Sequence, residues 1–401
     1  MQQLNAVIEI TNDKIRLVAG YVLDEEPVII YSVSKDIKGM VKNNYIVDHE
    51  GVVTALKQIA YIENPDIRLK LRVKEATIIL PPLGFKVFSS RKTTNVVSDT
   101  NIVEPLDINN AVNLVQKDVT ESSSAIVDII PSMFTLADGR RYSQPPLTAV
   151  SKTVEILANI HVIPHDIMKA YTSCFAEANI RVKGMVVSPY ALSQYAAKNN
   201  NLPKSYLLVD MGHAMTTFSC VGKSEPFGTQ IIASGLEGLL VRVSDSFGIS
   251  KEAALELLNL YGIDHRESSF RPVIASSVDE YGRKTNFSQD NLNTIITTYL
   301  EEYFAKFLTP MELLLTNIGN DKAKARTLPL IFTGSLIRIP GIKEYIIDKF
   351  FTNQSISFLR SETIGASLEN YCACVGGLLI ANNKNGALSN AENKVGLVSR
   401  S

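Results

Sequence analysis

The sequence predicts an α/β protein built by duplication into two lobes, and three observations carry that prediction. The chain has 401 residues, 45% hydrophobic and 20% charged, which is a globular composition long enough to bury more than one core. A unit of three strands, a helix and a further strand opens the chain, and its strand–turn–strand pattern restarts about 200 residues later. Insertions of different character follow each copy.

In order along the chain, Ala6–Ile10, Ile15–Val22 and Val28–Val33 read as strands, β-branched and bounded by Thr-Asn-Asp and Asp-Glu-Glu-Pro turns. Asp48–Ile62 reads as a helix, because Val52, Val53, Leu56, Ile59 and Ala60 recur at helical spacing behind an acidic first turn. Val73–Leu80 is an apolar run of strand length. Residues 84–160 hold strand-like stretches at Phe85–Phe88, Ala125–Pro131 and Thr148–Leu157 around a helix near Asn109–Val119, which predicts a small α+β subdomain. The opening pattern then returns as Ser205–Asp210, a Gly212-His213-Ala214 turn, Thr216–Val221 and Thr229–Ala233. In each copy an apolar strand ends on a carboxylate, Glu9 or Asp210, and a second strand leaves after a short turn. Two such copies predict a cleft between halves, where ligands gather at the carboxyl ends of strands. Residues 236–310 read as mostly helical, and Leu292, Ile295, Ile296, Tyr299, Leu300, Tyr303, Phe304, Phe307 and Leu308 trace one core-facing stripe.

Charge and composition narrow the function. Lys and Arg number 40 against 41 Asp and Glu, and no Lys/Arg run exceeds two residues, so nucleic acid is not a predicted partner. Four cysteines, Cys174, Cys220, Cys372 and Cys374, are too scattered for a disulfide framework and fit a reducing cytoplasm. No basic and apolar leader opens the chain and no apolar run reaches the roughly 18 residues of a membrane span, so neither secretion nor a span is predicted. His161 and His165 are interrupted by Pro164 and lack a ligand cluster, which predicts no metal site there.

The segments AVIEITNDKIRLVAGYV, VVSPYALSQYAA, LLVDMGHAMTTFSCV, IIASGLEGLLVRVSDSFGIS, IFTGSLIRIPGI and SETIGASLENYCACVGGLLIA resemble, in order and spacing, the actin-like ATPase superfamily. Within it the resemblance is greatest to the FtsA family of bacterial cell-division actin homologues, and it extends over residues 5–382. VDIIPSMFTLADGRRYSQPPLTAV and ILANIHVIP are similar to the inserted subdomain of that family. The resemblance implies a ribonuclease H-like, two-lobe actin-like fold. Residues 1–83 and 163–200 would form subdomain 1A, 84–162 the inserted subdomain 1C, 201–235 and 311–382 subdomain 2A, and 236–310 the helical subdomain 2B. A polar tail follows at 383–401. It also implies ATP, with magnesium, between two phosphate hairpins and an adenosine loop. The implied role is cytoplasmic, at the inner face of the cell membrane at the division site. There the protein binds the C-terminal tail of FtsZ, associates with itself into filaments and recruits later division proteins.

Glu9-Ile10-Thr11-Asn12-Asp13-Lys14 matches the first phosphate hairpin, usually Asp-Ile-Gly-Thr-Ser-Lys. Thr11 restores a Cβ where glycine lets backbone N–H groups approach phosphate, Glu9 lengthens the carboxylate by a methylene, and Asp13 adds negative charge. Asp210-Met211-Gly212-His213-Ala214-Met215-Thr216 matches the second hairpin, where Asp210 is the candidate catalytic residue and water-mediated magnesium ligand; without the resemblance, Asp210 reads rather as the cap of a tight turn. Gly235 matches the glycine opening the helix behind that hairpin. Gly334, Ser335 and Arg338 fall in the adenosine loop, where Leu336 and Ile337 either pack on a purine or fill its place. Loss of glycine at Thr11, Ala214 and Ser335-Leu336 predicts weak or absent ATP binding and at most a weak ATPase. Arg271, Arg283 and Lys284 are the expected contacts for the FtsZ tail. The terminal ANNKNGALSNAENKVGLVSRS shows no apolar face with basic flanks, which leaves open a shortened chain or a different membrane attachment. A pilus-assembly actin homologue and a sugar-kinase-like phosphotransferase are the competing readings on the same fold.

Overall fold

The structure, a computed structural model, describes residues 4–64, 69–119, 123–199, 201–264, 272–278, 281–317, 328–351, 354–367 and 371–383. Its frame is two five-stranded sheets of the same design. In the first lobe the order is Glu26–Asp36, Lys14–Leu23, Asn5–Ile10, Glu75–Leu80 and Arg181–Val187. The first three strands form an antiparallel meander, and the last two join Asn5–Ile10 in parallel. The second lobe repeats this order with Glu225–Ile232, Thr216–Gly222, Ser205–Met211, Leu330–Thr333 and Ile356–Phe358. Even the turns correspond. The second and third strands are joined by two left-handed residues in each lobe, Asp24 and Glu25 (φ 49° and 66°) and Lys223 and Ser224 (φ 51° and 65°), the backbone pairing that matches strand twist in tight hairpins.

The first helix is His49–Ile59, shorter than the predicted Asp48–Ile62. Asp48 caps it by accepting the Gly51 N–H at 2.9 Å, and the chain beyond Ala60 turns into a hairpin of Tyr61–Asn64 with Leu69–Arg72. Residues 86–164 carry a four-stranded sheet ordered Arg141–Tyr142, Ser124–Leu136, Thr153–Pro164, Lys86–Asn95. The helix Pro105–Gln116 covers it through a separate core that includes Ala111, Val115, Phe134 and Ile156. The predicted strand Thr148–Leu157 starts only at Thr153, because Thr148 has φ +70° and bends the chain.

Residues 236–310 contain the helices Leu236–Phe247, Lys251–Tyr261 and Gln289–Ala305. They also contain a hairpin, Val273–Val278 with Lys284–Ser288, within the span predicted to be mostly helical. Phe287 anchors this hairpin by stacking on Phe247 at 4.2 Å. The apolar stripe of Gln289–Ala305 faces the second core: Leu292, Ile296, Tyr299, Leu300, Tyr303 and Phe304 are all buried, each contributing about 1.5–3 kcal/mol.

The last described helical stretch, residues 372–383, returns to the first lobe. It can lie there because Gly376 faces the Ala191 carbonyl, where a Cβ would sit at 1.8 Å, and Gly377 faces Val7 and Ile79. The same stretch brings Cys374 under Glu9.

Candidate functional site

The carboxyl ends of Asn5–Ile10, Ser205–Met211 and Leu330–Thr333 meet at an open cleft between the lobes. At its floor is an ion pair. The antiparallel register of the first hairpin sets Glu9 opposite Arg16, and Arg16 Nη1 donates to Glu9 Oε2 at 3.1 Å with both residues buried. Cys374 Sγ lies 4.0 Å from the same oxygen. Arg16 Nε–H, also buried, makes no hydrogen bond among the described residues.

The turn above this pair is closed on itself. Thr11 N–H donates to the Lys14 carbonyl at 2.8 Å. The Thr11 hydroxyl accepts from Lys14 N–H at 3.2 Å and lies 3.0 Å from Asp13 Oδ1. Asn12 is held by Asn44, which accepts from Asn12 Nδ2 at 2.7 Å and donates its N–H to Asn12 Oδ1 at 2.8 Å. Tyr171 then donates to the Asn44 carbonyl at 2.8 Å. Asn44 tolerates the left-handed backbone this requires (φ 62°).

The second hairpin presents Asp210 opposite Thr217, the counterpart of Glu9 opposite Arg16. Gly334 is obligatory beside it: φ is +102°, and a Cβ would stand 2.6 Å from Asp210 Oδ1 and 2.4 Å from the Met211 carbonyl. The first N–H groups of Leu236–Phe247 are spent on this hairpin, with Leu236 donating to Gly212 at 3.1 Å and Glu237 to His213 at 2.7 Å.

The cleft is electrostatically asymmetric. Burial pushes Asp210 up to about 7, and the Glu9 charge adds to this while Arg16 opposes it. Glu9 is raised by burial and lowered by Arg16, with a net upward shift. Burial disfavours the Arg16 charge, and Glu9 and Asp13 outweigh it, so the guanidinium is held above its usual range.

Of the residues the sequence singled out, Glu9, Thr11, Asn12, Asp13, Asp210, Gly212, His213, Met215, Gly334, Ser335 and Arg338 line the cleft. Lys14, Ala214, Thr216 and Gly235 do not. Lys14 turns to Asp36 at 3.7 Å. Thr216 points the other way from Thr217 and bonds the Tyr303 hydroxyl and, at 2.8 Å, the Ser234 carbonyl. Gly235 instead lets the helix start pack on the Gly212 and His213 carbonyls. Leu336 and Ile337 are buried in the second core, so they fill space beneath the loop. Cys372 and Cys374 belong to the first lobe's core, with Cys374 beside Glu9. Arg271 lies outside the described residues. Arg16, Asn44 and Thr217 were missed; for Arg16 the signal was present, since pairing Ile10 with Ile15 across the turn places Glu9 against it.

These residues fit a nucleotide's phosphates only in part, and they do not fit magnesium. Glu9, one of the two strand-end carboxylates a magnesium ion would use, is engaged by Arg16.

No protein-family model matches the chain. It is 22% identical over 222 residues to the cell division protein FtsA of Streptococcus pneumoniae, a match spanning 55% of this chain and 48%, about half, of that protein. With FtsA of Enterococcus hirae it shares 20% identity over 349 residues, 86% of this chain and 76% of the relative. Its fold is similar to the PilM–PilN type IV pilus biogenesis complex, at TM-score 0.57 and 13% identity over 95% of this chain and 98% of that one. It is similar also to MreB 5 of Spiroplasma citri bound to AMPPNP, at TM-score 0.56 and 10% identity over 97% and 99%. The fold is therefore actin-like, with two lobes.

The position of Asp210 makes stability depend on pH. The native state holds a proton between about pH 4 and 7 that the unfolded chain has released, so this group's contribution falls as pH rises through that window. Asp210→Asn should match wild type near pH 4 and exceed it above pH 7, by at most roughly 4 kcal/mol. Urea unfolding at the two pH values checks this, and parallel profiles would refute it.

Proposed function

We propose that this FtsA-like actin homologue is a bacterial cell-division adaptor. It binds the C-terminal tail of FtsZ, associates with further copies of itself, and works with later division proteins on the cytoplasmic face of the cell membrane. The observation that carries this reading is similarity to FtsA along 86% of the chain. The cleft serves as a weak nucleotide site that regulates association and turns ATP over slowly at most. In support, MreB 5, of similar fold, was solved with AMPPNP, whereas here the first turn spends its own N–H groups and the second hairpin's carbonyls occupy the helix start. A phosphotransferase would need open backbone donors at those places.

The tail is assigned to the hairpin and helices of residues 236–310. Arg283 stacks over Tyr281 at 5.4 Å, and Lys284 stands next to it on an exposed strand. Val278 and Tyr281 are exposed beside them, offering apolar anchors with a cationic rim to an acidic and apolar peptide. Arg271 belongs to the same proposal. The likeness to PilM at nearly full coverage favours one second reading, a pilus-assembly actin homologue.

Titration with the FtsZ tail and with a PilN-derived peptide separates the two. We expect the FtsZ tail to bind, more weakly as salt rises, and Arg283→Glu with Lys284→Glu to cost about tenfold in affinity. Unchanged affinity in that variant would place the contact elsewhere, and preference for the PilN peptide would reverse the assignment. Self-association is expected to need residues 84–160 at a heterologous contact; sedimentation of the deletion variant should show loss of polymer, and unchanged polymer would contradict it.

A further inference from the structure

We propose that Arg16 is the resident cation of the cleft, doing there the charge-neutralising work of a divalent metal, so that the site takes the phosphates of a nucleotide metal-free. The inference rests on reading the cleft as a nucleotide site.

Arg16 is placed by backbone register, because antiparallel pairing puts it opposite Glu9, the carboxylate at the end of the first strand. It is 8% exposed and lines the cavity. One of its donors binds Glu9 at 3.1 Å, and its buried Nε–H has no hydrogen-bond partner among the described residues. A buried guanidinium with an unused donor is suited to accept an oxyanion, since its planar fork supplies both charge and directed hydrogen bonds. The unused donor points to a ligand that the protein's own groups do not replace.

A divalent ion would meet the opposite situation. It would compete with Arg16 for the Glu9 carboxylate and set a second cation beside a buried positive charge. Asp210, the other strand-end carboxylate, already feels both Glu9 and Arg16 and is backed by the Gly334 backbone. Thr11 and Lys14 spend their N–H groups within the turn, so the guanidinium takes the place of those backbone donors. Arg338, at the third loop, is the other arginine lining the cavity.

The test is calorimetric titration of the full chain with ADP and with ATP, in EDTA and in excess magnesium. We expect affinity in EDTA to be equal to or greater than that in magnesium. In Arg16→Met, affinity in EDTA should fall tenfold or more; Arg16→Lys, which keeps the charge, should retain more of it. Wild-type affinity tenfold higher with magnesium would overturn the proposal, and that comparison needs no variant to fold. Absence of binding in both buffers up to millimolar nucleotide would also overturn it. That result would leave the adaptor reading standing, because the FtsZ-tail titration judges it separately.

Discussion

The contact between Glu9 and Arg16 ties the cleft together. It closes the first hairpin across its register, meets the returning helical stretch through Cys374, and shares its field with Asp210 of the other lobe. A buried ion pair contributes little net stability when compared with apolar packing, whereas loss of one partner leaves a charge stranded. Such a pair therefore restricts what the site tolerates. A ligand meets the pair and not a free carboxylate, and a substitution that removes one of the two charges strands the other.

The duplicated fold explains why this pair sits where a ligand would. Each lobe directs a carboxylate from its central strand toward the other lobe, Glu9 from one and Asp210 from the other, each with a cross-strand neighbour facing the cleft. The copies have diverged at that neighbour, Arg16 in the first and Thr217 in the second. The helix Ser188–Ala196, whose Ser188 and Leu192 line the cleft, also ties the lobes, with Ser193 Oγ and Gln194 Nε2 donating to the Ser224 carbonyl at 2.7 and 2.9 Å. A further link is the exposed pair Lys38–Glu252 at 2.8 Å, which contributes little because water screens it. Tyr195 of the helix Ser188–Ala196 accepts the Glu362 N–H at 3.0 Å, and Asn159 of the inserted sheet donates to Glu225 at 2.6 Å, so the lobes are tied at several points.

Much of this was legible in the sequence because strand patterns and turn chemistry are local. The opening meander, its recurrence and the core stripe of Gln289–Ala305 follow from periodicity alone. What escaped depends on parity and on distant partners. Thr216 and Thr217 are indistinguishable in composition, and only the strand's alternation sends Thr217 to the cleft and Thr216 to Tyr303. The hairpin Val273–Val278 with Lys284–Ser288 lies among helices and is anchored by Phe287 on Phe247, a contact between residues 40 positions apart. Leu336 and Ile337 could be assigned to the core only once their burial was known. Arg16 was readable in principle, since the pairing of Ile10 with Ile15 fixes its neighbour; a lone arginine in an apolar strand draws attention only when the hairpin is drawn out.

The most direct test of this account is a double-mutant cycle on Glu9 and Arg16, read as unfolding free energy in urea at pH 7.5. Glu9→Gln and Arg16→Gln should each destabilise by about 3–5 kcal/mol, and the double variant should recover most of that loss. Additive losses, or single variants within about 0.5 kcal/mol of wild type, would show that the pair does not organise the cleft.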